Sequence, residues 1–392
     1  MQRMDKKVFG VLFFSIFAAI TGMGIVVPLL PVYAHDLGAS GFYIGLIFGA
    51  FSLSRTFLLP YFGRRSDIHG RKPSIVTGLL AYALVSVAFV FSRNVEHLII
   101  IRFFQGIASA MIMPVVQAYV GDITPPGSEG LTMGLFNMSL FMGLSAGPLI
   151  GGVINDNFSL KISFICMGIL ALGGFFLSLF MLPPVSAERV TGHKRSPVPW
   201  KYLLKDREIA ALFSFRFVYT LCIGMIWGFM PVFADTEFFL SSTDIGILVM
   251  LGVFVSGLLN TPMGYVADRI NKRRMVITGG TICGLAVLSF YRADGFRDLF
   301  AANVLFGIGG GISMPALMAL AVIRGQKAKA MGSVMALLTM AHSSGMLSGA
   351  LMGGLMMDMF QLRQAFPGAA LIMAAGVMLF AALARRPKVS RE

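Results

Sequence analysis

Arg55, Arg102 and Arg216 each interrupt a long apolar stretch of the sequence. A guanidinium held away from water is costly and keeps its proton, so it usually faces a cavity or a partner. Its natural chemistry is to hold an anionic group. For Arg55 and Arg216 a plainer role stays open, because a long side chain can snorkel to the nearer surface or bond backbone carbonyls. His342 is the only histidine at comparable depth. An imidazole there can carry a proton near neutral pH, or stay neutral as a hydrogen-bonding group. No acid shares that depth. The nearest carboxylates, Asp36 and Asp235, sit at the ends of their apolar runs. The absence of an embedded acid beside three embedded arginines favours an anionic or zwitterionic ligand.

A second concentration of charge is the stretch YFGRRSDIHGRKP, residues 61–73, where Arg64, Arg65, Arg71 and Lys72 surround Asp67. Such a cluster can bind nucleic acid, bind lipid phosphate, or hold a membrane loop on one side. Other chemistry finds no support. Cys166, Cys222 and Cys283 have no metal or redox spacing. There is no G-x-x-x-x-G-K-[ST] loop for a nucleotide, and the histidines form no catalytic group. No metal, cofactor or enzymatic activity is expected.

These residues must be positioned by membrane helices. Of 392 residues, 56% are hydrophobic and only 13% charged, against about 25% charged in soluble domains. The mean hydropathy is +0.80. Crossing a bilayer takes roughly 20 helical residues. Twelve runs are long enough: 8–33, 42–63, 73–91, 98–122, 131–154, 162–182, 208–234, 244–268, 275–291, 299–322, 331–357 and 364–384. Helices are the expected spanning form, since each satisfies its backbone internally and the runs are too long for barrel strands. The first run follows a charged start and is too long for a secretory core, so it reads as an uncleaved span.

Lys and Arg assign the sides. With the N-terminus in the cytoplasm, 24 of the 32 fall on cytoplasmic segments, 5 on outer loops and 3 inside spans. Both termini are thus expected in the cytoplasm, in an inner or plasma membrane, and the net charge of +14 is mostly a topology signal rather than a nucleic-acid footprint. The polar stretch 183–207 divides six spans from six, giving halves 1–182 and 208–392 with a cytoplasmic linker. An amphipathic piece near WKYLLKD is expected to lie on the membrane surface.

The halves repeat. Gly63, Asp67, Gly106 and Pro114 recur 201 positions later as Gly264, Asp268, Gly307 and Pro315. Gly143, Gly147, Gly151, Gly152 and Asp156 recur 202 positions later as Gly345, Gly349, Gly353, Gly354 and Asp358. Two parallel six-helix halves are one transporter plan, with the substrate site near the midplane between them.

These motifs together resemble the major facilitator superfamily. The loop Gly63–Lys72 is similar to its G-x-x-x-D-[RK]-x-G-[RK]-[RK] motif, with Ile68 where a basic residue is usual. The second copy, 264–273, has Asn271 where glycine is usual. IRFFQG, with Arg102, Gln105 and Gly106, resembles the R-x-x-Q-G motif. GLSAGPLIGG resembles the G-x-x-x-G-P-x-x-G-G motif of the twelve-helix drug/proton antiporters, and Pro28 and Pro31 resemble that branch's proline pair.

The resemblance implies an all-α membrane protein of twelve helices in two pseudo-symmetric six-helix bundles. It implies a cytoplasmic gate at Gly63, Asp67, Gly70, Arg71 and Asp122, with Asp268 and Arg269 in the second copy. A charge cluster that joins helix ends in one state and parts in the other can gate; Gly70 would allow the tight turn and Gly63 a close helix approach. Proton coupling is implied for Arg102, with Asp36 and His342 as the local candidates. The glycine face of Gly143, Gly147, Gly151 and Gly152, with Pro148, is expected to be a hinge or sliding seam between the halves. A cavity between the halves would be lined by Arg55, Arg216, Gln117, Asn137, Tyr219, Trp227, Asn260 and Asn303. The expected function is proton-coupled export of small amphipathic molecules by a monomer in the bilayer. A carrier for one anionic metabolite or lipid, and a non-transporting membrane sensor, are the alternatives.

Overall fold

The computed structural model describes residues 6–124, 129–183, 203–328 and 330–384. Among them, twelve helices are long and apolar enough to cross a membrane. They are α1 (Lys6–Asp36), α2 (Gly41–His69), α3 (Arg71–Val90), α4 (Val95–Ile123), α5 (Glu129–Asn157), α6 (Leu160–Met181), α7 (Arg207–Phe238), α8 (Ser242–Arg269), α9 (Lys272–Phe290), α10 (Phe296–Lys327), α11 (Met331–Met359) and α12 (Ala365–Leu383). The face where α1 begins and α12 ends is called the entry face below, and the opposite one the far face.

Polar side chains start the helices where the apolar runs begin. Asn94 Oδ1 accepts from His97 N at 2.9 Å, and Asp206 Oδ1 from Glu208 N at 2.8 Å and Ile209 N at 3.2 Å. Each cap satisfies an orphan helix donor. The turn between α2 and α3 rests on Gly70, whose φ of 88° is a region glycine enters freely. At the matching place between α8 and α9, Asn271 has φ −68° and caps α9, accepting from Arg273 N and Arg274 N. The departure from glycine there is thus a different turn chemistry, not a defect. Leu203 is buried against the core next to α7, while 184–202, including Trp200, lie outside the described residues.

Packing repeats with the sequence. α1 lies on α5 as α7 lies on α11; α2 on α4 as α8 on α10; α3 on α6 as α9 on α12. Two six-helix bundles result. Between them the main contacts are α2 with α11 and α5 with α8, again a symmetric pair.

The glycine stripes correct one expectation. Gly143, Gly147 and Gly151 face α1, not the other bundle: a Cβ on Gly147 would stand 2.7 Å from Gly24 Cα, and one on Gly151 3.0 Å from Ile25 Cα. Gly345 and Gly349 face α7 in the same way. Small residues let paired helices approach within each bundle. Of the two stripes, Gly152 and its repeat partner Gly354 meet the opposite half, at Ser242 and Thr243 and at Gly41 and Phe42. Pro148 touches both sides, its ring near Gly24 and its carbonyl near Gly246.

Candidate transport seam and its charged groups

The seam is sealed at the far face. Asp358, at the end of α11, accepts from the first backbone N–H groups of α2: Gly41 N at 2.6 Å and Phe42 N at 2.8 Å. Asp156, at the end of α5, does the same for α8, accepting from Ser242 N at 3.0 Å and Thr243 N at 2.7 Å. Asn155 adds a bond from Nδ2 to Ser242 Oγ at 2.8 Å. A carboxylate on unsatisfied helix N–H groups is favourable through both hydrogen bonds and the helix dipole. These partners were not singled out from the sequence; the signals available were the repeat of Asp156 at Asp358 and a glycine stripe at 41, 45 and 49.

Glycines carry the seal inward. Gly45 packs on Ala350 and Leu351, Gly49 on Leu347, Gly246 on Pro148, and Gly257 on Phe141. Further toward the entry face, a Cβ on Gly63 or Gly264 would meet nothing within 4 Å, so neither glycine continues these close contacts. Gly63 therefore makes no close helix approach here, contrary to the expectation from sequence.

Charges at the entry face tie each bundle to itself. Arg71 is buried and donates from Nε to Asp122 Oδ2 at 3.0 Å and from Nη1 to Ser66 Oγ at 2.8 Å. In the second bundle Arg273 and Arg324 both pair with Glu208. Arg269 lies over the Tyr265 ring, Cζ to centroid 3.9 Å, and Asp268 is exposed. The side chain of Asp67 is outside the described residues. A cavity of about 530 Å³ on this face is lined by Glu208, Asn271, Lys272, Arg273, Arg324 and Lys327; it belongs to this loop cluster and not to the seam.

The three embedded arginines separate into two kinds. Arg102 is only 3% exposed and lies inside the first bundle. Its Nη1 donates to Gln105 Oε1 at 2.7 Å, its Nε to the Ile47 carbonyl at 3.4 Å, and its Cζ sits 4.4 Å and 5.1 Å from the Phe51 and Phe48 ring centroids. Gln105 Nε2 donates on to the Tyr82 hydroxyl at 3.2 Å. Aromatic faces and amide oxygens stabilise a desolvated cation. Arg55 and Arg216 instead reach the seam. Arg216 Nη1 donates to the Met314 sulfur at 2.8 Å, and Nη2 faces His342 Nδ1 at 3.3 Å. Arg55 is half-buried, and its Nε is enclosed without a hydrogen-bond partner.

Of the expected cavity wall, Gln117 and Asn137 are exposed, and Trp227 and Asn260 half-buried. Tyr219 and Asn303 depart from the expectation. Tyr219 stacks on Phe306 inside the second bundle, centroids 5.6 Å apart. Asn303 is 3% exposed and donates to its own helix at the Leu299 carbonyl, 2.8 Å. Helical spacing alone could not tell the seam-facing side from the bundle interior. Asp36 is exposed at the far end of α1, within electrostatic reach of Asp235.

The comparisons with known proteins agree with this architecture. A family model described as Major Facilitator Superfamily matches residues 12–233 and 212–392. An uncharacterized MFS-type transporter of Methanocaldococcus jannaschii is 29% identical over 362 residues, covering 91% of this chain and 93% of its own. Multidrug resistance protein 2 of Bacillus subtilis is 26% identical over 369 residues, covering 91% and 90%. Among solved structures, the nucleoside transporter NupG superposes with a TM-score of 0.82 at 12% identity, covering 96% of this chain and 100% of that one. The human organic anion transporter MFSD10 gives 0.68 at 17% identity, covering 97% and 100%. At such identities the two structures share the fold alone.

Proposed function

The chain belongs to the major facilitator superfamily and is an integral membrane transporter rather than an enzyme, and from that premise we propose that it exports small amphipathic molecules in exchange for protons. The observation that carries the reading is the matched pair of far-face seals, Asp156 and Asp358 each reaching from one bundle onto the other, with no such close contact at Gly63 or Gly264 near the entry face. Rocking two rigid bundles about a central site requires such a two-state contact at each face. Kinship with a multidrug resistance protein supports broad, amphipathic cargo. The 24-to-5 bias of basic residues supports a cytoplasmic entry face, with both termini there, in a plasma or inner membrane. The working units in this reading are halves 1–182 and 208–392, joined by the linker 183–207, in a monomer. Arg71 and Asp122, with Asp67, form the cytoplasmic gate of the first half, and Asp268 and Arg269 that of the second.

Purified protein in liposomes with an imposed pH gradient tests this. Cationic, neutral and anionic amphiphiles are offered in turn, and accumulation is read together with internal pH. Accumulation that follows the gradient and dissipates it is expected. Transport with no proton movement would overturn the antiporter reading.

A further inference from the structure

We propose that Arg55, Arg216 and His342 form an anion-binding site just past the glycine-sealed part of the seam, and that the exported amphiphile carries a carboxylate or phosphate group. Export of this amphiphile rests on the transport reading above; the site itself stands on binding alone.

The three side chains come from both bundles. Arg55 comes from α2, while Arg216 and His342 come from α7 and α11. His342 lies within electrostatic reach of both arginines. The place is defined by the packing of α2 on α11. Their last glycine-mediated contact toward the entry face is Gly49 with Leu347. Arg55 is six residues beyond Gly49, and His342 five beyond Leu347, in the same direction. That is about one and a half helical turns past the last of these glycine contacts.

The partners these groups have are the wrong ones for a desolvated cation. Arg216 spends one N–H on a thioether, a weak acceptor, and another on an imidazole. Arg55 has an aromatic ring at 5.9 Å, Phe51, which is also the ring beneath Arg102, and its Nε has no acceptor. No ion pair among the described residues includes either arginine. Nor is an acid within reach along these helices. The acids of α2, α7 and α11 are Asp67, Glu208, Asp235, Glu237 and Asp358, all near helix ends. Buried charge is normally paired, and a guanidinium cannot neutralise itself. Arg102 shows what this chain does with a cation meant to stay unpaired: it surrounds it with two rings, an amide and a carbonyl. Arg55 and Arg216 lack that surround and face the seam instead.

The imidazole completes the donor set. A guanidinium only donates, so His342 Nδ1 must accept from Arg216, which leaves the proton on Nε2. The group therefore offers donors from two arginines and one imidazole, and no acceptor of its own. An oxyanion fits that set bidentately. The surrounding Phe51 and Met314 suit an apolar body attached to it.

The test titrates wild-type protein in nonionic detergent with decanoate, decyl phosphate and decyltrimethylammonium, reading Kd by calorimetry. The three share a tail and differ in head charge. At least one anion is expected to bind about ten-fold or more tightly than the cation, a difference typical of one well-made charged contact. Arg55→Gln and Arg216→Gln should each remove the preference. Arg216→Lys keeps the charge and should restore part of it, and the wild-type comparison needs no variant to fold. A second arm repeats the decanoate titration in nanodiscs of phosphatidylcholine or phosphatidylglycerol. Weaker decanoate binding in phosphatidylglycerol identifies a lipid headgroup as an occupant, and unchanged binding identifies a free solute; both keep the site. Equal binding of all three heads, a preference for the cation, or full anion preference in both glutamine variants overturns it. Anion binding without proton-driven export would sink the antiporter reading and leave the site intact.

Discussion

A buried arginine carries two different messages in this chain, and only its neighbours tell which. Arg102 has its hydrogen bonds and ring faces filled from within one bundle. Replacing it with alanine empties that cage and strands Gln105, at a cost of about 2–4 kcal/mol. Thermal unfolding in detergent should show the loss, whereas Arg55→Gln should leave the unfolding temperature near that of wild type. The role in proton coupling that the resemblance implies for Arg102 therefore has to act through this packed network, by positioning. At the entry face, Arg71 is held by Asp122 and Ser66. Asp67→Asn is expected to abolish transport while expression and the unfolding temperature in detergent persist; wild-type transport rates in that variant would remove the gate. The motif residues were legible as motifs, Gln105 beside Arg102 among them, but the partners of Arg102 on other helices were not. Which face of a helix looks inward depends on neighbours brought from α2 and α3, and spacing along α4 is silent about them.

Twelve helices could be read from apolar runs because the bilayer sets a minimum length and forbids other forms. The edges differ where helices continue past the oily region: the tenth run, 299–322, is part of Phe296–Lys327, and the first, 8–33, of Lys6–Asp36. The glycine stripe of α5 was legible as a packing surface, but not its addressee. It belongs to α1. Gly147→Leu should thus act inside the first bundle, because a side chain there meets Gly24 at backbone distance. Overpacking of this kind costs about 1–3 kcal/mol, and the expected result is a lower unfolding temperature with loss of turnover; unaltered turnover would count against a functional α1–α5 contact. The far-face seals are also helix-level devices, since each carboxylate caps a helix of the other bundle. Asp156→Asn together with Asp358→Asn removes two charge–dipole contacts worth about 1 kcal/mol each. Spin labels at the matching positions Phe158 and Phe360, both exposed at the far face, should then report a larger long-distance population by pulsed electron resonance. An unchanged distance distribution would show that the glycine contacts alone hold the seal.

For the molecule as a whole, the sequence repeat at 201–202 positions and the paired packing of helices are one fact seen twice. The sidedness rests on Lys and Arg, and labelling settles it directly. A cysteine in place of exposed Phe158 should react with a membrane-impermeant maleimide in intact cells, and one in place of exposed Ile270 only after lysis; the reverse pattern would invert the orientation. What could not be read from one sequence is which face is closed, because both states use the same residues and differ only in which contacts are made. The seal itself has a consequence for how such a molecule could have arisen. Each bundle gives one carboxylate and receives one on a helix start. This is the exchange found in a two-fold dimer contact, where the same patch meets itself. The first bundle alone holds both parts, Asp156 and the amides of Gly41 and Phe42, and so carries the two complementary elements that such a contact between two copies requires.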